Sequence, residues 1–292
     1  MTMLEQQHLG TLQDEVLIFG GNYGNLQATQ ALQAVAAARG IPPANIICNG
    51  DVVAYCAEPE ATVALMRAWG VPVVMGNCEE ALGQDAGDCG CGFAAGSTCA
   101  LLSDSWYNYC QRYLGESSKA WMRSLPRTLS FRLGGLDFQV VHGSLSSINR
   151  FIFASTPGQV FADELQLSSA DAVIGGHAGL PFVRAHDKRY WLNSGVIGMP
   201  ANDGTARTWY LQLCAQADGV QASWQPLTYD AKTAQAAMHQ HGLHSAYAET
   251  LLSGLWPSED ILPATERAQR GLALHPQSVT LRPRKAVYNE GC

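Results

Sequence analysis

Four short stretches of the chain end an apolar run on residues that can bind a cation. NIIC (45–48) is followed by Asn49-Gly50-Asp51 and VPVVM (71–75) by Gly76-Asn77-Cys78-Glu79. LDFQVV (136–141) is followed by His142-Gly143-Ser144, and AVI (172–174) by Gly175-Gly176-His177. Asp51, Asn77, His142 and His177 offer one carboxylate, one amide oxygen and two imidazoles. That mixed set suits Mn, Fe, Zn or Ni rather than Ca or Mg. Each stands close to a glycine, which lets backbone approach closely. Singly, an Asp after Gly reads as a turn and a lone His as a hydrogen-bonded core residue. Together they argue for convergence, because sheets with crossover helices form ligand sites outside the carboxyl ends of their strands.

The elements that must position these donors follow from hydrophobic patterning. EVLIF (15–19) reads as a strand breaking into the glycine-rich turn FGGNYGNLQAT (19–29), with a helix over about 25–38. NIIC leads to a helix from about Pro59 to Trp69, and VPVVM reads as the next strand, in a βαβ rhythm. Residues 83–99, with five glycines, read as a loop, and helical stretches resume over about 103–124. TLSFRL (128–133), a Gly-Gly turn and LDFQVV form a hairpin. DAVIGG (171–176), RYWLNSG (189–195) and TWYLQL (208–213) complete the strands. The expected organisation is an N-terminal extension (1–14), a main domain (15–225), and a helical C-terminal extension with a tail (226–292). The helical part of that extension, about 231–253, packs on the core, covers the site or mediates a homodimer.

Lys and Arg number 18 against 25 Asp and Glu, an acidic balance opposite to that of a nucleic-acid backbone binder. Residues 1–14 have neither the basic start nor the apolar stretch of a secretory signal. No run approaches the roughly 18 apolar residues of a membrane span. The expectation is a cytoplasmic protein without a membrane or nucleic-acid duplex as partner. In that setting nine cysteines read as reduced thiols or metal ligands rather than a disulfide frame. Cys48, Cys56, Cys110 and Cys214 read as small core hydrophobes. Cys89, Cys91 and Cys99 could bind a soft metal, form a redox-sensitive lid beside Cys78, or remain plain thiols. Their spacing lacks the paired C-x2-C of a zinc knuckle. FGGNYG is not a dinucleotide fingerprint, since Phe19 stands at the first glycine of G-x-G-x-x-G.

The ordered set NGD (49–51), GNCEE (76–80), VVHGS (140–144) and GGH (175–177) resembles the calcineurin-like metallophosphoesterases. It is similar in particular to the small bacterial phosphodiesterase and diadenosine-tetraphosphatase-like branch. NGDVVAYCAEPE (49–60) and LNSGVIGMPANDGTARTWYLQL (192–213) extend the similarity, which runs from about Val16 to Leu213. The resemblance implies an α/β (α+β) fold: a β-sandwich of two mixed sheets flanked by helices in α-β-β-α layers, with the site on one edge. It also implies that Asp51, Asn77, His142 and His177 hold one metal of a pair. Aligning Gly24-Asn25-Leu26 with the family's opening motif puts Gly21 at its first Asp and Tyr23 at its first His. Gly179 then stands at the second His of the family's GHxH. The other metal has lost these three ligands, so one divalent transition metal (Mn, Fe, Zn or Ni) is expected rather than two. Cys78 stands where the family has a histidine that protonates the leaving group or places the phosphate. With Asp51, it is the expected catalytic residue.

Half of the family's charge clamp is then missing. Arg150 and Arg184 could supply bidentate phosphate contacts, against the plainer reading of surface arginines. Tyr23 and Asn22 are possible substitute ligands, although a Tyr packed into the vacated space is the simpler expectation. Three functions follow. The chain is a hydrolase of a small phosphomonoester or phosphodiester, nucleotides included, working through a metal-activated water. Alternatively it is a non-catalytic metal-binding descendant, or a mononuclear iron redox enzyme on Asp51, His142 and His177. The first is the expectation carried forward.

Overall fold

The computed structural model describes residues 6–243 and 246–284. Its strands are β1 (Gln6–Thr11), β2 (Glu15–Phe19), β3 (Ile46–Cys48), β4 (Thr128–Leu133), β5 (Leu136–Val140), β6 (Ala172–Gly175), β7 (Phe182–His186), β8 (Arg189–Asn193), β9 (Thr208–Gln216), β10 (Gly219–Leu227) and β11 (Ser278–Leu281). They form a six-stranded sheet in the order β1-β4-β5-β6-β8-β7 and a five-stranded sheet in the order β11-β10-β9-β2-β3. Both mix parallel and antiparallel pairs. The helices are α1 (Leu26–Ala38), α2 (Pro59–Trp69), α3 (Asn77–Gly83), α4 (Thr98–Tyr113), α5 (Glu116–Arg123), α6 (Gly158–Gln166), α7 (Ala231–Gln240), α8 (Ala246–Ser253) and α9 (Ala264–Arg267).

The strand period of two explains the layering. On β2, Val16 and Ile18 join Phe131, Phe138, Leu211 and Trp224 in the core between the sheets. The alternate residues Leu17 and Phe19 face the opposite way, toward Leu32 of α1 and Val63 and Met66 of α2. On the far side, Phe161 and Leu165 of α6 pack on Val173 and Trp191 of the larger sheet. The result is the expected sandwich of two mixed sheets between helical layers. The β4–β5 hairpin turns on Gly134 (φ 53°) and Gly135 (φ 81°), both in the left-handed region that a primed two-residue turn requires.

Several boundaries differ from expectation. VPVVM makes only one bridge, Val73 to Cys48; Pro72 has no N–H with which to extend a ladder. The helical stretches expected over 103–124 are two helices, α4 and α5. α4 begins earlier, where Ser97 caps Ala100 N–H at 3.2 Å, and Gly115 separates it from α5. β1, β7, β10 and β11 were not anticipated. Exposed β1 (QQHLGT) carries no apolar alternation, yet pairs in parallel with β4. The expected boundary at 225/226 falls inside β10, and β11 pairs with β10, so both extensions contribute strands to the sheets. Residues 1–5 of the first extension and 285–292 of the tail lie outside the described residues. Among the described residues no helix is long and apolar enough to cross a membrane.

Trp224 of β10 is buried, and its indole N–H donates to Asn193 O on β8, 2.7 Å away in the other sheet. Trp224→Ala removes both the packing and this bond. It should cost about 3–5 kcal/mol, read as a lower urea midpoint at unchanged slope.

Candidate metal centre

The turn after β3 is built for close approach. At Gly50 (φ 102°), a Cβ would lie 2.8 Å from both Gly76 N and His142 Nδ1. Asp51 follows with φ 56°, a left-handed conformation that costs a non-glycine residue about 1 kcal/mol or more. Glu79 holds it there. Its buried carboxylate accepts from the N–H groups of Asp51 (2.8 Å), Val52 (2.8 Å) and Gly76 (2.9 Å), binding two loops together. Burial, and next the charge of Asp51, push the Glu79 carboxyl up to about 7. The sequence reading assigned Glu79 no role. Its signal was available, because an acid three residues into a helix reaches back to the N-cap N–H. The opening turn lies along the same loop, with the N–H groups of Gly21, Tyr23 and Gly24 donating to the carbonyls of Gly50, Asp51 and Val52 at 2.9, 3.1 and 2.8 Å.

β5 and β6 are parallel neighbours, so His142 and His177, two residues past each, emerge on one edge. His142 Nε2 lies 3.0 Å from Asn77 Oδ1, 3.0 Å from His177 Nδ1 and 3.3 Å from Asp51 Oδ2. Its Nδ1 lies 2.8 Å from Asn49 O, which can only accept, so Nδ1 carries the proton and Nε2 of the neutral ring presents a lone pair. Asn77 Nδ2 donates to Cys89 O at 2.9 Å, which turns Oδ1 inward. Four acceptor atoms therefore face one another, an arrangement that repels itself unless a cation or proton sits among them. Among the described residues, Asp51, His142 and His177 form the one group of three or more His, Cys, Asp or Glu whose ligand atoms gather, all within 4.8 Å. The set fits a divalent transition ion.

The protonation equilibria agree. Burial alone would raise the Asp51 carboxyl, but the charge and hydrogen bond of His142 outweigh it and hold the value below normal. Burial would lower His142, but the Asp51 carboxylate raises it above an ordinary imidazole. Burial, then the neighbouring His142, push His177 down to about 3. Without a cation, the shared proton resides on His142 and His177 stays neutral.

Beside this cluster lies a solvent-open cavity of about 60 Å³ that reaches Asp51, His177 and Tyr23, room for several waters or one small polar group. Tyr23 fills rather than ligates. A Cβ at Gly21 would lie 2.5 Å from Tyr23 Cζ and 2.6 Å from Val196 Cγ1, so the ring takes the space a side chain at 21 would need.

Other expected residues lie elsewhere. Asn22 is turned away as a ligand: its Nδ2 donates to Thr29 Oγ1 at 3.0 Å and its Oδ1 faces Cys48 Sγ at 3.4 Å. Cys78 donates its backbone N–H to Asp51 Oδ1 at 3.2 Å. Its thiol is buried in the apolar core and does not line the cavity. Burial, then Asp51, push that thiol well above its usual value, and Asn77 Nδ2 lies 3.6 Å from its sulfur. Arg150 pairs with buried Glu164 at 2.8 Å. Arg184 lies 5.3 Å from the Phe161 ring centre and donates to Ala154 O at 2.5 Å. Neither arginine reaches the cavity, because nearness in sequence to His142 and His177 says nothing of direction. The possible thiol cluster is divided, with Cys91 and Cys99 both on the cavity wall. Cys89 and Cys91 are joined as a disulfide, and Cys99 is free at the start of α4. Cys91 Sγ lies 3.3 Å from Asn77 Nδ2, so this loop orients the amide. Cys48, Cys56 and Cys110 are core residues as expected, while Cys214 is half-buried.

Residues 23–215 match the calcineurin-like phosphoesterase superfamily domain. The chain belongs to that superfamily. A metallophosphoesterase from Sphaerobacter thermophilus is similar in structure, with TM-score 0.64 and 20% identity over 84% of this chain and 100% of that one. A hypothetical protein from Pyrococcus horikoshii OT3 gives TM-score 0.69 and 16% identity, covering 82% of this chain and 98% of its own. An uncharacterised protein of Methanocaldococcus jannaschii is 24% identical over 213 residues, which is 67% of this chain and 80% of that protein. The sandwich described above is the metallophosphoesterase fold, and metal-dependent phosphoester hydrolysis is the general chemistry of the superfamily.

Glu79 contacts none of the four inward-facing atoms, yet it fixes the loops that carry Asp51 and Asn77. Glu79→Gln should weaken metal affinity about 10–100-fold, measured by competition with a chelating dye. A proton and an ion compete for His142 Nε2. Wild-type affinity should therefore hold above the raised His142 value and fall as pH drops through it, with the decline beginning above 6.5.

Proposed function

We propose that the protein is a phosphoesterase that works with one divalent transition ion held by Asp51, Asn77, His142 and His177, and acts on a small phosphorylated substrate. The observation that carries this reading is the meeting of four acceptor atoms around His142 Nε2 beside a solvent-open cavity that reaches Asp51 and His177, within a superfamily of phosphoesterases. The ion supplies the charge that polarises a phosphoryl oxygen and lowers the pKa of water.

The chain's own residues do the rest. Asp51 and His177 belong both to the donor cluster and to the cavity wall, so a substrate in the cavity lies against them. Phe151 covers His177 with ring centres 4.2 Å apart and keeps that imidazole neutral and in place. The second ion of the family pair has no counterpart donors here. Gly21 and Gly179 offer no side chain, and the Tyr23 ring and Val196 occupy the space beside Gly21.

One observation favours a second reading, a descendant that binds a metal without turnover. Among the described residues no Lys or Arg lines the cavity, so a phosphate there meets no side-chain cation from them. Reconstitution with Mn, Zn or Fe followed by assay on bis-p-nitrophenyl phosphate and p-nitrophenyl phosphate separates the two. We expect metal-dependent turnover that falls by on the order of 10²-fold or more in Asp51→Asn and His142→Ala. One bound ion per chain with no turnover on either ester would favour the second reading.

A further inference from the structure

The wall opposite Asp51 and His177 is made of tyrosines. Tyr23 meets Tyr55 edge-on with ring centres 4.8 Å apart, and Tyr55 lies 4.5 Å from Tyr247 of α8. Tyr23 and Tyr247 are only 7% and 8% exposed. Among the described residues none of the three hydroxyls has a hydrogen-bond partner, although all three residues line the cavity. Elsewhere Tyr107 donates to Ala86 O and Tyr109 to Ala57 O, each at 2.8 Å, while the buried Tyr229 hydroxyl has no partner among the described residues. Tyrosines packed this closely normally find a partner, so two buried rings and half-buried Tyr55 with hydroxyls open to the cavity offer a row of donors to a ligand rich in acceptors.

Position and charge identify it. The hydroxyl-bearing Cζ of Tyr23 lies 2.5 Å from where a Cβ of residue 21 would be, on the side where the family's other ligands would stand. A divalent ion with the Asp51 carboxylate leaves a net single positive charge. Among the described residues the cavity lining adds no Lys or Arg. A site with at most one net positive charge suits a phosphodiester monoanion better than a monoester dianion. Phe93, Phe151 and Trp256 line the remaining wall, where a flat apolar ester group packs.

We propose that the hydroxyls of Tyr23, Tyr55 and Tyr247 donate to the non-bridging oxygens of a phosphodiester, supplying with neutral donors what a second ion would supply with charge, and so select diesters over monoesters. The proposal rests on the single-ion reading above and narrows its substrate class.

Calorimetry on the metal-loaded protein at pH 8, with diphenyl phosphate and phenyl phosphate as probes, tests it without turnover. Diphenyl phosphate should bind more tightly than phenyl phosphate. Tyr23→Phe and Tyr247→Phe should each weaken diphenyl phosphate about tenfold at unchanged metal content. Tyr109→Phe, whose hydroxyl is already bonded to Ala57 O, should bind as wild type does. The two test residues sit on different elements, so the loss of one variant to misfolding leaves the other. Equal binding by wild type and the Phe variants, tighter phenyl phosphate, or no binding of either probe overturns the proposal. Normal binding of diphenyl phosphate with no hydrolysis of any ester would instead remove the catalytic reading and leave the tyrosine site standing.

Discussion

Four acceptor atoms pointed at one another in a buried space is the constraint on which this structure turns. The repulsion among Asp51 Oδ2, Asn77 Oδ1, His142 Nε2 and His177 Nδ1 has to be offset by a cation, or in part by a proton on His142. The surrounding scaffold prevents the atoms from relaxing apart. Asn49 O fixes the His142 ring, Cys89 O fixes the Asn77 amide, and Glu79 fixes both loops. Asn49 also ties its turn to the end of β6 through Gly175 O and to Ser194 Oγ, at 3.0 and 2.9 Å. The edge of the sandwich is thus organised around a charge that the chain itself does not carry.

That organisation is one-sided. Polar donors line the side fed by β3, β5 and β6, while the facing side is filled by aromatic rings. The opening turn shows how a loop can keep its backbone role while its side chains change task. It still donates three N–H groups to the 50–52 loop and still caps α1, with Asn25 Oδ1 accepting from Ala28 N–H at 3.1 Å. What it presents to the cavity is a phenol. A phenol held protonated by burial can donate to an anion but does not bring the charge of an ion, so this side of the cavity offers donors without net charge.

The donors were legible because they follow apolar runs whose strand period puts their ends on one edge. The hairpin at Gly134-Gly135 and the two sheet faces were legible for the same reason. The edge strands were not: β1 has no apolar alternation, and β11 gains its place by pairing with β10 rather than by pattern. Side-chain direction was the second blind spot. Arg150 and Arg184 lie near the right histidines in sequence yet turn to Glu164 and Phe161. Asn22 turns to Thr29, and Cys78 is drawn into the core. The sequence offered no sign that Cys89 and Cys91 would be joined, because C-x-C is equally compatible with free thiols.

The aromatic wall was the least legible feature, and the reason is topological. Tyr247 and Trp256 lie beyond residue 215, where the superfamily match ends, in a segment that reads as peripheral. It is locked onto the sandwich instead. Trp256 donates its indole N–H to Pro200 O at 2.7 Å and its backbone N–H to Asn202 Oδ1 at 2.8 Å. Asn202 in turn donates to Glu259 at 2.9 Å. α8 packs against α7, and α7 against α1, the helix that the opening turn starts. The chain that carries Tyr23 and the chain that carries Tyr247 are therefore held by a common helical layer. A pocket assembled in this way takes Asp51, His177, Tyr23 and Tyr55 from the matched region and Tyr247, Trp256 and Ile261 from the segment beyond it, so a relative sharing only the matched region would keep the donors and lack that one side of the aromatic wall.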